Sequence, residues 1–144
     1  MEETKTQTTK KTVIDILIAL GRRKTATARV KLNLNEKGNI EVNGMRIEEY
    51  FPGELNQAKY LEPLRTCNVI GKYKIDITVN GSGKDAQMGA VIHGLSRVLV
   101  KLDSEKFKSI LKKRNFLTRD SRVRQRRQAG MGGKSRRQRQ SPRR

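Results

Sequence analysis

Tryptophan is absent from this chain, and cysteine and histidine occur once each, as Cys67 and His93. A single cysteine excludes an intrachain disulfide, so the reduced cytosol is the expected setting. One Cys and one His cannot supply the ligands of an ordinary zinc site. His93, beside Gly94 and without a second His or Cys to act with, reads as a packing or hydrogen-bonding residue rather than a catalyst. Aromatics make up 4% of the chain and fall mostly at core positions, which disfavours an RNA surface built on base stacking. Long apolar runs are missing too. Val13–Leu20 is eight residues long and interrupted by Asp15, far short of the ~20 needed to span a bilayer. It also lacks a small-residue cleavage site. Rich in Ile, Val and Leu, it reads as a buried strand covered on both faces and interrupted by Gly21-Arg22-Arg23-Lys24.

Acid is scarce where base is dense. From Lys112 to Arg144 fourteen Lys/Arg face the single acid Asp120, which puts +13 of the chain's +19 there and leaves +6 for residues 1–111. Eleven of the fourteen are Arg, whose planar fork matches phosphate oxygens and stacks on bases. After Val123 the only non-polar side chains are Ala129, Met131 and Pro142. So little apolar surface cannot offset an ordering cost of roughly 1–2 kcal/mol per backbone residue. Residues 114–144 are therefore expected to form an extended arm that orders against a polyanion. Nucleic acid fits better than a membrane, because the arm offers no apolar face. Arg119, Arg122 and Arg126 fall at helical spacing, and Gly130, Gly132 and Gly133 break any helix beyond them.

The remainder divides into a polar, flexible extension over residues 1–11 and a folded body over residues 12–113. Ala26, Ala28, Val30, Leu32 and Leu34 alternate with polar residues, as in a half-buried strand. Asn35-Glu36-Lys37-Gly38 reads as a hairpin turn into a return strand carrying Ile40 and Val42. Ile47–Phe51 reads as a short helix stopped by Pro52, and Leu55–Leu64 as a second one carrying Leu55, Ala58, Leu61 and Leu64. Tyr73, Ile75, Ile77 and Val79 mark another strand. Met88, Val91, Ile92, Leu95, Val98, Leu99 and Leu102 keep helical spacing. Asp103 is the expected N-cap of a last helix with Phe107, Ile110 and Leu111 inward. That order predicts an α+β fold with helices packed on one face of a sheet.

Two motifs suggest chemistry. Gly81-Ser82-Gly83-Lys84-Asp85-Ala86 fits G-x-G-x-x-A between a strand and a helix. A dinucleotide fold needs a further parallel strand ending in an acid, whereas this sequence passes to Asp103, another helix and the arm. As a P-loop the stretch fails, because Asp85 stands where Ser/Thr should bind magnesium. What survives is a tight turn whose amides suit a phosphate, including one in RNA. Arg22, Arg23 and Lys24 form the second motif. With Arg29 and Lys31 on the next strand they read as phosphate contacts in preference to a merely solvated edge. Glu48, Glu49, Glu54 and Glu62 are scattered, and nothing pairs them as acid and base. No enzyme activity, cofactor or small-molecule substrate is expected.

In this order the motifs resemble the bacterial form of the universal ninth protein of the small ribosomal subunit. Gly21-Arg22-Arg23-Lys24-Thr25-Ala26 through Ala28-Arg29-Val30 matches its opening. Asn43-Gly44, Glu48-Glu49-Tyr50-Phe51-Pro52 and Pro63-Leu64 match its middle. Gly81, Gly83, Gln87, Gly89-Ala90, His93-Gly94, Arg97 and Leu99 match its glycine-rich helix. Phe116-Leu117-Thr118-Arg119-Asp120-Ser121-Arg122 matches the hinge into its tail. The resemblance implies a single domain of the kind shared with the second domain of ribosomal protein five of the same subunit. It implies a structural role in translation, in the cytoplasmic ribosome, beside neighbouring proteins of the subunit's head. It implies rRNA binding by Arg22, Arg23, Lys24, Arg29, Lys31, Gly81, Gly83, Lys84, Gln87, Arg97, Arg119, Arg122, Arg124, Arg126, Arg127, Lys134, Arg136 and Arg137. It also implies contact of Arg139, Arg143 and Arg144 with the anticodon stem-loop of P-site tRNA. The sequence departs from the family pattern at Ile92, where Arg is usual, at Met88, where Ala is usual, and at its end, where an aromatic is missing. Charge alone fits a second class as well, a free-standing non-specific nucleic-acid binder of histone-like or RNA-chaperone type.

Overall fold

Alternating apolar residues build the sheet. In the computed structural model, which describes residues 16–132, the strands are β1 (Ile16–Arg23), β2 (Ala26–Asn33), β3 (Ile40–Val42), β4 (Met45–Arg46) and β5 (Lys74–Asn80). They form one five-stranded sheet in the order β1-β2-β5-β3-β4. β2 is antiparallel to both β1 and β5, whereas β3 runs parallel to β5. The helices are α1 (Ile47–Tyr50), α2 (Glu54–Thr66), α3 (Lys84–Leu102) and α4 (Ser104–Lys113). Ala28, Val30 and Leu32 of β2, with Ile75, Ile77 and Val79 of β5, share one core with Val91, Leu95, Val98 and Leu99 of α3. The architecture is the expected α+β one.

α3 reaches β1 because both surfaces are bare at the crossing. A Cβ at Gly21 would collide with Ala90 O and Gly94 N, and one at Gly94 would lie 2.7 Å from Val30 Cγ2. Side chains at either position would push helix and strand apart. The close seam lets polar side chains of α3 reach the outer edge of β1.

The strand over Ala26–Asn33, the strand of β5 and the long helix α3 agree with the pattern in the sequence. The Asp103 cap does too, its carboxylate accepting from Lys106 N–H at 3.1 Å. Four details differ. β1 does not stop at Gly21 but runs on to Arg23, because Gly21 is needed under α3 rather than in a turn. Nor is β1 covered on both faces: Ala19 and Gly21 are buried, while Ile16, Ile18 and Leu20 are exposed. The expected hairpin of β2 with β3 does not form, since β5 lies between them. The connecting segment already pairs with β5, through Lys74 N–H to Glu36 O at 2.8 Å and Ile75 N–H to Asn39 O at 3.3 Å. Asn43 then fixes β3 to β5, its side chain donating to Val79 O at 3.0 Å and accepting from Val79 N–H at 2.9 Å. In α2, Leu64 is buried as its place in the pattern suggests, but Tyr60, whose ring carries a large apolar area, is buried in place of Leu55 and Ala58, which are exposed. In α4 only Leu111 is fully buried, Phe107 is half-buried and Ile110 is exposed.

Candidate nucleic-acid interface

An edge strand presents a row of unpaired backbone groups. On β1 three successive outward groups find partners on α3. Arg22 N–H donates to His93 Nδ1 at 3.3 Å, Arg97 Nη1 donates to Leu20 O at 2.6 Å, and Lys101 Nζ donates to Ile18 O at 2.6 Å. The match is one of pitch. Four residues of helix rise about 6 Å and two residues of strand about 6.7 Å, so positions 93, 97 and 101 keep step with 22, 20 and 18. Burial lowers the pKa of His93 from its ordinary 6.5, and the nearby Arg97 and Arg119 cations add to this against the opposing effect of the Leu117 and Arg22 backbone. The neutral ring that results leaves Nδ1 free to accept. His93 thus has the hydrogen-bonding role expected of it.

The glycine turn before α3 is also occupied from within. Gly81 has φ +80°, and a Cβ there would lie 2.6 Å from Thr25 O. Gln87 Nε2 donates to Gly81 O at 3.1 Å, and Gln87 Oε1 accepts from Tyr50 O–H at 2.9 Å. Lys84 sits over the Tyr50 ring, its Nζ 3.3 Å from the centroid, and donates to Tyr50 O at 3.5 Å. A cation held on a ring face gains a cation–π attraction. Lys84, Gln87 and Arg97 therefore each have a partner within the chain, although Lys84 and Arg97 stay exposed, and the space around Gly83 is open.

The cations that do converge lie where α4 hands over to the arm. Arg23 crosses Gly89, where a Cβ would lie 2.8 Å from its Nη1, and reaches Asp120 Oδ2 at 3.6 Å. Asp120 in turn grips Arg122, accepting from its Nε at 3.0 Å, its Nη2 at 2.9 Å and its backbone N–H at 3.0 Å. Chiefly through those bonds, and helped by the Arg23 charge, the carboxyl is held far below the usual carboxylate range. The result is a shallow cradle of about 290 Å³, lined by Arg22, Arg23, His93, Thr118 and Arg122, with Ile92 as an apolar patch in its wall. Gly89, Asn115, Phe116 and Asp120 complete its lining.

Beyond Asp120 the chain has no helix or strand through Gln128, and Arg124, Arg126 and Arg127 are exposed, as is Arg119 just before it. Lys24 is exposed at the β1–β2 turn with φ +51°. Arg29 and Lys31 are exposed on the sheet face opposite the helices, where they alternate with buried Ala28, Val30 and Leu32. Lys134, Arg136, Arg137, Arg139, Arg143 and Arg144 lie outside the described residues. Sequence reasoning missed Asp120 as the clamp, although its being the only acid in a basic run was a signal. It also missed Lys101, which stands four residues from Arg97 just as Arg97 does from His93.

Fold and site together define a class: a small α+β domain with helices on one sheet face, a glycine seam beneath its edge strand, and an Arg-rich segment leaving from a clamped hinge. The profile of the family Ribosomal protein S9/S16 matches residues 21–144, and the chain belongs to that family. It is 45% identical over 112 residues to the small ribosomal subunit protein uS9 of Tropheryma whipplei (strain Twist), covering 78% of this chain and 72% of that one. It is 41% identical over 119 residues to the same-named protein of Maridesulfovibrio salexigens, covering 83% and 90%. The corresponding protein of Anaeromyxobacter sp. (strain K) is 40% identical over 116 residues, covering 81% and 88%.

Proposed function

We propose that this chain is a structural constituent of the small ribosomal subunit that holds rRNA through the cradle and the basic segment beyond it, and performs no chemistry of its own. The observation that carries the reading is the Asp120 clamp. It spends one acid to fix the root of a strongly basic segment beside Arg22 and Arg23, so cations of body and arm present one surface. Phosphates give such a surface its affinity. Arg22, Arg23, Lys24, Arg119, Arg122, Arg124, Arg126 and Arg127 supply those contacts, and Lys134, Arg136 and Arg137 extend them. Gly83 leaves room for a phosphate at the start of α3. Arg139, Arg143 and Arg144 reach the P-site tRNA. The family's ribosomal identity and bacterial relatives support this setting, in the cytoplasmic ribosome beside other proteins of the subunit.

Sedimentation tests it. The chain is expected at one copy per small subunit, retained through a moderate salt wash. A chain spread over DNA and bulk RNA, and washed off uniformly, is instead a free-standing polyanion binder. Removing Met131–Arg144 is expected to leave subunit association intact and to lower P-site tRNA retention by roughly tenfold or more.

A further inference from the structure

The sheet face opposite the helices is not uniformly polar. Along β1 it carries Ile16, Ile18 and Leu20, exposed to 45%, 46% and 37%. Single exposed apolar residues are ordinary, but alternate positions of one strand make a continuous stripe. The register places the neighbouring column beside it: Ile18 stands opposite Lys31 and Leu20 opposite Arg29. Further across, Lys31 stands opposite Asp76, and Asp76 opposite Glu41. The face is thus ordered as an apolar column, a basic column and a mixed polar margin of Lys74, Asp76, Thr78 and Asn80, with Glu41 beyond it.

Two observations restrict what can cover it. The outer edge of β1 is already engaged by His93, Arg97 and Lys101, so a partner cannot add a strand there and must lie on the face. Phosphate could meet Arg29 and Lys31 but would leave the apolar column wet. A second copy that met this apolar column with its own would flank it with the same Arg29 and Lys31 and supply no carboxylate beside it. We infer that this face docks an amphipathic segment of another protein, one whose apolar stripe covers Ile16, Ile18 and Leu20 and whose flanking Asp/Glu side chains meet Arg29 and Lys31. A helix fits this description, since its rows of side chains can present both stripes at once. The inference rests on the reading of the chain as one protein among several in a small subunit.

The test uses the full chain carrying Ile18→Cys, labelled with a benzophenone maleimide; Cys67 is buried and leaves the introduced thiol as the reactive one. The labelled chain is added to purified small subunits lacking their own copy, re-sedimented, irradiated and digested. The expected adducts are peptides of another protein containing apolar residues with Asp or Glu alongside. A label on Lys108→Cys, on α4, is expected not to give those adducts. Adding Arg29→Gln with Lys31→Gln is expected to lower their yield about tenfold. Adducts solely on RNA, on a second copy or on residues 1–15 of this chain overturn the inference, as does an unchanged yield in the Gln variant. A chain that never enters the subunit, seen at the sedimentation step, removes the underlying reading. Entry followed by RNA-only adducts removes the docking face alone.

Discussion

Arg97 on α3 and Arg124 beyond the hinge are both exposed arginines, but only Arg97 lies on a strand edge. Arg97 closes the edge of β1, its guanidinium 2.6 Å from Leu20 O. Arg124 is exposed in a segment without regular structure. The family resemblance of the sequence implies rRNA binding by both. The difference teaches that a cation's work is set by what lies within reach of it. A helix lying on a strand edge supplies backbone carbonyls at matching intervals. An extended segment supplies none, and its charge stays available to a polyanion.

The comparison can be broken most directly from the arm side. Replacing Arg124, Arg126 and Arg127 by Gln is expected to lower affinity for small-subunit rRNA about 100-fold at low salt. The melting temperature should hold, since exposed surface substitutions move stability by only about 0.5 kcal/mol. A filter-binding titration beside a thermal melt checks both halves. From the other side, Arg97→Gln with Lys101→Gln leaves two edge carbonyls to water and should cost about 1–2 kcal/mol of stability. Its rRNA affinity, measured on folded protein, should be nearly unchanged. Equal affinity losses in the two variants would erase the distinction.

With Arg97 and Lys101, His93 completes a ladder of three contacts from α3 to the β1 edge, and its contact depends on pH. Its folded pKa is lowered from 6.5, so the unfolded chain binds the proton more readily. The stability it contributes is therefore present above about pH 6.5 and falls away as pH drops towards its folded pKa. Denaturant midpoints between pH 7 and 5 should decline in the parent and decline less in His93→Gln. A slope of opposite sign in the parent would show that the ring is held charged. Smallest is the effect at the cradle. Ile92→Arg adds a cation to the cradle wall and should raise rRNA affinity about threefold, with a steeper salt dependence.

Much of this fold can be read from spacing. β2, β5 and α3 each bury one clean periodic set, and Asp103 caps the next helix as its type and position suggest. What failed was non-local. Gly21 reads as a break because nothing local says that Ala90 and Gly94 will press against it. β3 reads as the return of a hairpin because β5, thirty-odd residues later, cannot be seen inserting between the strands. Val13–Leu20 reads as buried because its composition suits burial, yet the helices cover one face of the sheet only, so Ile16, Ile18 and Leu20 are exposed, while residues 13–15 lie outside the described residues. The site divides similarly. The charge of the arm is plain in the sequence, while the capture of Lys84, Gln87 and Arg97 depends on which carbonyls and rings the fold brings near them.

On the proposed function, ladder cations hold the fold while those of the cradle and arm hold RNA. The slope of log affinity for small-subunit rRNA against log salt counts released counterions, and so counts phosphate contacts. The account predicts a slope about two smaller for the variant lacking Arg124, Arg126 and Arg127, at about 0.7 per contact, and an unchanged slope for the variant lacking Arg97 and Lys101. A slope reduced as much by the ladder variant as by the arm variant would contradict it.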